Sequence, residues 1–432
     1  MKYTFILLLL LIPLSFGISS ASTSREYIEL FFSDERIDIE ELLNSITAYM
    51  LNEDYQGKNL KLEWLRDASY VYVYWGGKPK TFVDVNGNPL KIYKPIKKIV
   101  TYHHQHAEML MILGLEDKVV GVRDTFAIQK NRYPILHTKP SVGSGDNPNL
   151  EKIIELDPDV VVAYGWYPAV GTIEELSNLP DRVISIMRVG FTGDPIGKGY
   201  VGIDAMKKEV LDFASLFDQE VMKRAQKYLE WHDRYINIVL ERVSKIPENE
   251  KLKVFVESSE GSYGRSNTRL GIGLGHPAHG LVELAGGRNI GAGNIPFNPT
   301  YNTEYNDISV EFVLENNPDI IVGRAMGTIS GQGALRPWER TDDGAVKAYY
   351  NDIKNVFNLT NAVRNDRVYV ITNDWAITPN YPSALVALAK WFYPELFADL
   401  DPCKAFEEYV DLLGVSKAVL NHRSFTYPAI CI

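Results

Sequence analysis

Cysteine is almost absent from this chain of 432 residues, which contains only Cys403 and Cys431, both close to the C-terminus. So few cysteines exclude a small scaffold held together by many disulfides, although these two could pair with each other outside the cell. Runs of basic residues are also missing, and the net charge is -10. This charge disfavours binding to nucleic acid, so we expect no nucleic-acid partner.

The sequence also lacks the signature motifs of several enzyme classes. There is no His-Glu-x-x-His and no Gly-x-Ser-x-Gly, which argues against a zinc hydrolase and a serine hydrolase. The glycine-rich stretch "GIGLGH" has no Lys-Ser/Thr pair and is therefore not a phosphate-binding loop. We expect a protein that is not an enzyme and that has no intrinsic cofactor.

A long apolar run occurs only at the N-terminus, in "MKYTFILLLLLIPLSFGISSASTS". Lys2, an apolar block and a small polar region follow the order of a secretory signal peptide, which we place at 1–22. A retained membrane anchor is the alternative. Either reading predicts a secreted or extracytoplasmic protein, in a periplasm or at the outer face of the cell membrane.

The region 23–77 differs in pattern from the remainder of the chain. "DERIDIEELLNSITAYMLN" places apolar residues at helical spacing, which predicts a small helical unit. Its layout resembles a dockerin or EF-hand pair. However, no Asp-x-Asn-x-Asp-Gly loop is present, so bound calcium is not expected.

The rest of the chain contains an internal repeat. "NLEKIIELDPDVVVAYG" at 149–165 matches "SVEFVLENNPDIIVGRA" at 309–325, with an offset of 160 residues. Strands that alternate with helices in both copies predict an α/β fold of two lobes, each with a parallel sheet flanked by helices. The first lobe, with a leading hairpin, spans 78–200, and the second lobe with the tail spans 248–432.

Between the lobes, 201–247 contains apolar residues at helical spacing and has no proline or glycine between Ile203 and Ile246. This pattern predicts one long helix that joins the two lobes. A stiff connection of this kind would limit how far the lobes can hinge.

This plan resembles the helix-linked substrate-binding proteins of ABC importers, of the class that captures iron-siderophores, haem and cobalamin. The resemblance covers roughly 95–400 and rests on "HAEMLMILGLEDKVVGV", on the two repeat segments, and on "HGLVELAGGRNI" and "RVYVITNDW". It implies a monomer that docks on an ABC permease. In the family one glutamate on each lobe makes this contact, and the matching residues here are Glu151 and Glu311. Acidic residues are also common in the first turn of a helix for purely electrostatic reasons.

Ligands of parallel α/β sheets bind beyond the carboxyl ends of the strands, and aromatic residues and arginines follow these ends here. Such side chains suit a large, flat or chelated anion, although aromatic residues at strand ends also close protein cores. The candidate ligand-binding residues are His103, His104, Tyr164, Trp166, Tyr167, Arg188, Tyr263, Arg265, Arg324, Trp338 and Trp375.

Histidines cluster in "VTYHHQHAEMLMILG" and in "GHPAHG". Neighbours in an extended loop point in opposite directions, so His103 and His104 are not expected to share one metal. Ligand contact, helix capping and metal ligation all remain open for them. His276 and His279 are candidate metal ligands across the cleft, and Pro277 predicts the first turn of a helix there.

Four functions are compatible with these features. The first is an extracytoplasmic protein that binds a metal chelate (iron-siderophore, haem or corrinoid) and delivers it to an ABC permease. The second is a receptor for a bare zinc or manganese-type ion that uses His103, His104, His276 and His279. A secreted metalloenzyme and an adhesion protein are the weaker alternatives. The aromatic residues and arginines favour the chelate, because a bare ion needs three or four close ligands instead.

Overall fold

The computed structural model describes residues 24–164, 173–179, 184–190, 202–329 and 331–431. The predicted signal segment lies outside these residues. None of the described helices is both long enough and apolar enough to cross a membrane.

The N-terminal unit contains α1 (Ser24–Phe31), α2 (Ile39–Leu51) and α3 (Leu62–Trp75). Asp38 caps α2 by accepting a hydrogen bond from the backbone N–H of Glu40. The three helices bury a hydrophobic core of their own, which includes Tyr27, Leu42 and Trp64. This core is what a set of short amphipathic helices requires for stability.

The first lobe begins with the antiparallel hairpin of β1 (Lys80–Val83) and β2 (Pro89–Ile92). Its sheet contains β3 (Ile99–Thr101), β4 (Val119–Val122), β5 (Val160–Ala163) and β6 (Ser185–Arg188), in the order β4-β3-β5-β6. All neighbouring strands in this sheet are parallel, as the sequence predicted. Among its described residues, the lobe contains the helices α4 (His104–Ile112) and α5 (Leu150–Leu156). Short 3-10 turns occur at Glu116–Lys118, Asp124–Ile128, Leu136–Thr138 and Glu174–Asn178.

The N-terminal unit contacts this lobe at the edge where the strands begin. Lys97, two residues before β3, forms an ion pair of 2.6 Å with Asp67 of α3. Lys94 pairs at 2.7 Å with Asp159, which directly precedes β5. Burial raises the pKa of Asp67 to about 6 against the opposing effect of Lys97. The unit therefore lies on the side of the sheet opposite the carboxyl ends of the strands.

The second lobe is built on a larger, mixed sheet. Its strands are β7 (Leu252–Ser258), β8 (Thr268–Ile272), β9 (Gly287–Asn289), β10 (Phe297–Asn298), β11 (Thr303–Ser309), β12 (Ile320–Ala325), β15 (Val368–Thr372) and β16 (Thr426–Tyr427). They follow the order β10-β11-β8-β7-β12-β15-β16, and β9 pairs with the first half of β7. The central strands β9, β7, β12 and β15 are parallel, whereas β8, β11, β10 and β16 add antiparallel pairs at the two sides.

Helices cover both faces of this sheet, and a small hairpin of β13 (Thr328–Ile329) and β14 (Gly333–Ala334) lies beside it. The helices are α8 (Ser259–Ser262), α9 (Pro277–Leu284), α10 (Val310–Asn316), α11 (Gly344–Val356), α12 (Asn361–Arg364), α13 (Asn373–Ala376), α14 (Tyr381–Phe392) and α15 (Pro402–Leu413). Helix α9 begins at Pro277, as predicted. Further 3-10 turns occur at Glu248–Glu250 and Lys417–Asn421.

The connection between the lobes differs from the single helix expected over 201–247. It contains two helices, α6 (Ile203–Ala214) and α7 (Gln219–Val243). The break falls at Asp218, whose side chain accepts hydrogen bonds from the backbone N–H groups of Glu220 and Val221 and so starts a new helix. Helix α7 still spans 25 residues. The apolar periodicity passes through the break, which explains why the sequence pattern alone did not detect it.

The internal repeat is also a structural repeat. Helices α5 and α10 have seven residues each, begin at the caps Asn149 and Ser309, and end at Asp157 and Asn317 in the left-handed conformation. The polar side chain of each cap accepts a hydrogen bond from a backbone N–H in the first turn. The matching caps fix the same start and the same end for the two helices.

The Pro-Asp pair after each helix has one structural role in both lobes. The carboxylate of Asp159 accepts the backbone N–H of Lys98, and that of Asp319 accepts the backbone N–H of Lys253. Each aspartate thereby links the start of one strand to the start of its parallel neighbour, β5 to β3 in the first lobe and β12 to β7 in the second. The repeated motif therefore sets the strand pairing in both sheets.

The C-terminal tail is bonded to α15 by a disulfide between Cys403 and Cys431, the pairing that the sequence left open. Just before the second cysteine, β16 adds an antiparallel strand next to β15. The disulfide therefore holds an edge strand of the larger sheet in place.

Candidate ligand-binding cleft

The two sheets each present the carboxyl ends of parallel strands, and the candidate site lies at these ends. In the first lobe the relevant strands are β3 and β5, followed by His103 and Tyr164. In the second lobe they are β7, β12 and β15. Loops at the carboxyl ends are where ligands of parallel α/β sheets bind. We call the residues at the strand ends of the first lobe the N wall (His103, His104, His106 and Tyr164). Those at the strand ends of the second lobe form the C wall (Ser258, His276, Tyr301, Tyr305, Arg324 and Asn373).

The N wall is formed by histidines and aromatic residues. His103 is the N-cap residue of α4, has an extended backbone and is partly exposed. Its ring centroid lies 4.7 Å from that of Tyr164 and 5.5 Å from that of His106. His106 is fully buried, and its Nε2 lies 2.9 Å from the carbonyl oxygen of Val189.

His104 faces different neighbours from those of His103. Its ring stacks on Phe126 with centroids 5.0 Å apart, and its Nδ1 lies 2.8 Å from the hydroxyl of Tyr133. The rings of His103 and His104 are 6.3 Å apart. This agrees with the expectation that adjacent histidines in an extended loop point in different directions.

Burial lowers the pKa values of all three histidines of the N wall. The pKa values of His103 and His104 lie well below the usual value, and nearby charges of Arg123 and Arg132 lower them further. Burial lowers the pKa of His106 to about 3, although hydrogen bonds to the backbone oppose the shift. The imidazoles are therefore neutral at physiological pH and can act as hydrogen-bonding or coordinating groups.

The C wall is centred on Arg324, close to the carboxyl end of β12. Its Nε donates to Oδ1 of Asn373 at 2.8 Å. Its Nη1 lies 3.4 Å from both the hydroxyl of Ser258 and the hydroxyl of Tyr305. These partners come from β7, β11 and the start of α13, so four elements position one guanidinium.

An aromatic pair extends the C wall. The ring of His276, the N-cap residue of α9, stacks on Tyr305 with centroids 5.4 Å apart, and Tyr301 packs edge-on against the same tyrosine. The hydroxyl of Tyr305 donates to the carboxylate of Glu260 at 2.9 Å. Burial and the charge of Arg324 lower the pKa of His276, which is therefore neutral.

Arg324 differs from the other buried arginines in its counter-charges. Arg132 and Arg269 are fully buried, and each contacts two carboxylates: Arg132 those of Glu108 and Asp374, and Arg269 those of Glu257 and Asp352. The side chain of Arg324 is also buried, with 7% of its surface exposed. Its hydrogen-bond partners are an amide and two hydroxyls, and it forms no ion pair with a carboxylate of the described residues. A buried charge is normally paired, so this guanidinium is suited to binding an anion.

Other predicted site residues have different environments. Tyr164 is buried beside His103, and Arg188, the last residue of β6, forms an ion pair with Glu174. Trp166 and Tyr167 lie outside the described residues. Tyr263 is partly buried against Tyr349 in the core of the second lobe.

Arg265 is exposed and contacts both carboxylate oxygens of Asp307, at 3.0 and 3.2 Å. It does not join the group around Arg324. The charge of Arg265 is balanced by Asp307 and by solvent, so Arg265 is less suited than Arg324 to binding an anion.

Trp338 and Trp375 require a correction, because the structure places both in the core and not on a wall of the cleft. Their side chains are 1% and 0% exposed, and both pack edge-on against Phe406. Neither indole has surface available to a ligand in this conformation. Both follow strands in the sequence, but the chain turns inward at these points, and burial of the large rings stabilises the second lobe.

The predicted metal site is not assembled within the part of the chain that the structure describes. No group of three or more histidine, cysteine, aspartate or glutamate side chains is arranged there to hold a metal ion. Nδ1 of His276 accepts the backbone N–H of Ala278, and Nδ1 of His279 lies 3.2 Å from Nδ2 of Asn289. These two histidines therefore have structural partners in and around α9.

Sequence reasoning missed several residues of the C wall. Ser258 is the last residue of β7, Glu260 lies two positions later, and Asn373 directly follows β15. The strand-end rule could have identified them, but the prediction favoured larger side chains further along the loops. Tyr305 had no such signal, because it lies on the antiparallel strand β11, which a purely parallel sheet does not contain.

The candidate docking acids Glu151 and Glu311 are both exposed, in the first turns of α5 and α10. Both helices precede a parallel strand and run in the opposite direction to it, so they begin on the cleft side of their sheets. The two carboxylates thus occupy equivalent positions in the two lobes. Helix dipoles favour an anion at each of them.

Comparisons with known proteins agree with this architecture. The family model described as periplasmic binding protein matches residues 99–375, more than half of the chain. An uncharacterized ABC transporter substrate-binding lipoprotein, YvrC of Bacillus subtilis, is 24% identical over 74% of this chain and 88% of its own length. The petrobactin-binding protein YclQ of the same organism is 23% identical over 68% and 80%. The solved structure of the molybdate periplasmic binding protein MolA of Haemophilus influenzae, bound to molybdate, has a TM-score of 0.57 at 18% identity and covers 77% of this chain and 97% of its own.

The buried His106 gives a testable dependence of stability on pH. Because its pKa is about 3 in the folded chain and near 6.5 in an unfolded chain, protons bind the unfolded state first as the pH falls. The stability that His106 contributes is complete above about pH 6.5 and decreases below it, by roughly 2 kcal/mol at pH 5. We expect His106→Gln to remove this component. Urea unfolding at pH 8 and pH 5 measures the free energy of unfolding of the wild type and of the variant. If the wild type lost no more stability than the variant between pH 8 and pH 5, the assignment would be contradicted.

Proposed function

We propose that this chain, which belongs to the periplasmic binding protein family, captures a metal chelate in the cleft between its lobes and delivers it to an ABC permease. The observation that carries the proposal is the buried Arg324, which has neutral hydrogen-bond partners and no carboxylate partner among the described residues. An anionic group of the ligand would supply the missing charge. Guanidinium groups bind carboxylates and other oxyanions through paired hydrogen bonds.

The surroundings of Arg324 support a ligand that carries ring surface as well as charge. His276 and Tyr305 form a stacked pair beside it, and Tyr301 is 47% exposed at the same wall. Aromatic faces of this kind bury the planar parts of a ligand. The relatives include a petrobactin-binding protein and a molybdate-binding protein, and molybdate is an anion.

An iron-siderophore, a haem and a corrinoid all fit this description. On the opposite wall His103 is partly exposed and neutral, so its imidazole could contact the ligand or complete the coordination of its metal. A receptor for a bare ion is the second candidate. It has less support, since three or four close ligands would be needed and the described residues do not provide such a group.

The proposed partner is the permease of an ABC importer, which Glu151 and Glu311 would contact. Both acids are exposed at equivalent positions of the structural repeat. Carboxylates held on rigid helices can pair bidentately with arginines of a partner protein. We further propose that the protein acts as a monomer outside the cytoplasm, as a binding protein without catalytic activity or an intrinsic cofactor.

Purification of the protein from its native source tests the function directly. An absorbance spectrum and a metal analysis of the purified protein should show a chelate with stoichiometric iron or cobalt. A Soret band would identify haem, and a corrinoid band would identify cobalamin. Stoichiometric zinc or manganese without a chromophore would instead favour the receptor for a bare ion and overturn the chelate proposal.

Arg324→Gln should weaken binding of the chelate that purifies with the protein by roughly 10- to 100-fold, because a hydrogen bond to a charged group contributes about 1.5–3 kcal/mol. Tryptophan fluorescence titration of the stripped protein with that chelate measures the change. Arg265→Gln is the matched control, since Arg265 is exposed and already paired with Asp307. Equal effects of the two substitutions would show that the ligand is not seated at Arg324.

Glu151→Ala combined with Glu311→Ala should leave chelate affinity unchanged and abolish uptake by cells that carry the permease. Removal of two exposed carboxylates does not disturb the cleft, but it removes the groups proposed to meet the partner. Glu155→Ala with Glu315→Ala is the matched control, because these glutamates are also exposed and lie one turn later on the same helices. Uptake that survives in the Glu151 and Glu311 variant would remove the docking assignment.

A further inference from the structure

A short segment of the first lobe reaches across to the second lobe. The backbone N–H groups of Asn131 and Arg132 both donate to Oε1 of Glu339, at 2.8 and 3.2 Å. The side-chain amide of Asn131 donates to the carbonyl oxygen of Trp338 at 3.1 Å. These contacts join the loop before Tyr133 to the segment between β14 and α11.

Arg132 is the centre of this junction and is completely buried. Within its own lobe, its Nε and Nη2 both lie 2.8 Å from Oε1 of Glu108, on α4. Across the junction, its Nη1 lies 3.3 Å from Oδ1 of Asp374, on α13. The guanidinium also lies over the ring of Trp338, with its carbon 5.6 Å from the centroid.

Glu108 completes the network from the first lobe. Its second carboxylate oxygen, Oε2, accepts a hydrogen bond of 2.6 Å from the hydroxyl of Tyr409, on α15 of the second lobe. Burial raises the pKa of Glu108, and the charge of Arg132 together with the Tyr409 hydrogen bond opposes that shift. Glu108 and Arg132, an oppositely charged pair in the first lobe, thus each contact a residue of the second lobe, Tyr409 and Asp374 respectively.

The junction is connected to both walls of the cleft. Tyr133, next to Arg132, contacts Nδ1 of His104 through its hydroxyl at 2.8 Å. Asp374 directly follows Asn373, which accepts the hydrogen bond from Nε of Arg324. A change in the separation of the lobes at Arg132 would therefore move the anion-binding group of one wall relative to the histidine of the other.

We infer that Glu108 and Arg132 form an inter-lobe clamp with Asp374, Glu339 and Tyr409, and that this clamp holds the two cleft walls at a fixed separation before any ligand binds. Arg132 is then a positioning residue, not a ligand contact. Opening of the lobes would break three sets of hydrogen bonds to charged groups and would unstack the guanidinium from Trp338. Hydrogen bonds to charged groups are among the strongest in proteins, so the closed arrangement is favoured in the free protein.

The clamp can be tested without a ligand, so its failure is distinct from failure of the proposed function. Spin labels at Glu155→Cys and Glu315→Cys occupy equivalent, exposed positions on α5 and α10, and the native cysteines are bonded to each other. Pulsed electron paramagnetic resonance on the ligand-free, full chain should give one narrow distribution of distances between the labels.

The clamp variant combines Asp374→Asn, Glu339→Gln and Tyr409→Phe. These changes weaken only contacts between the lobes and leave Arg132 paired with Glu108 inside the first lobe. We expect the distance distribution to widen and to shift to longer distances. The matched control, Asp366→Asn, Glu407→Gln and Tyr350→Phe, makes the same chemical changes at sites within the second lobe, where Asp366 contacts Tyr350 and Glu407 contacts Lys417. It should keep the wild-type distribution.

Two results would overturn the inference: a broad distribution already present in the wild type, or a clamp variant with the narrow wild-type distribution. Circular dichroism checks that each variant is folded. If the triple variant does not fold, Asp374→Asn alone decides the question, because it removes the charge that Arg132 meets across the junction and changes only one carboxylate oxygen into an amide nitrogen. A smaller widening in the same direction is expected with this single change, because the contacts of Glu339 and Tyr409 remain, and its absence would contradict the clamp.

Discussion

The relative placement of the two lobes depends on one buried guanidinium. Arg132 has no exposed surface, and it meets a carboxylate from each lobe, Glu108 and Asp374. A buried charge is costly unless it is paired and hydrogen-bonded, so these partners are not interchangeable with water. This contact is connected to both walls of the cleft. Tyr133, next to Arg132, contacts His104 on the N wall, and Asn373, next to Asp374, accepts a hydrogen bond from Arg324 on the C wall.

The distribution of counter-charges separates structural arginines from the candidate binding residue. Arg132 and Arg269 each have two carboxylate partners, which explains their burial without any ligand. Arg324 is nearly as buried but is held by an amide and two hydroxyls. These neutral groups orient the guanidinium, and no carboxylate of the described residues balances its charge. The presence of an arginine near a strand end is less informative than this contrast. Arg188, at the end of β6, and Arg265, in the loop after β7, are also near strand ends, and both are paired with carboxylates.

The long connecting helix and the structural repeat together define how the two lobes are built. Helix α7 runs for 25 residues between the lobes, and the repeated Pro-Asp turns set strand pairing in both sheets. As a result the exposed acids Glu151 and Glu311 occupy equivalent places on the two lobes. The N-terminal unit contacts the opposite edge of the first sheet through Asp67 and Lys97, away from the cleft.

The sequence alone determined the α/β class, the two similar lobes, the start of α9 at Pro277 and the exposed first-turn positions of the repeated glutamates. These features depend on local periodicity, turn chemistry and an offset of 160 residues, which are all visible along the chain. Only the tertiary structure decided that Trp338 and Trp375 are core residues, that Arg324 has no carboxylate partner among the described residues, and that Glu108 and Arg132 meet across 24 residues. Burial and charge pairing are properties of three-dimensional neighbours. Residues such as Tyr305 and Tyr409, distant in sequence from the groups they contact, therefore could not be assigned before the fold brought them together.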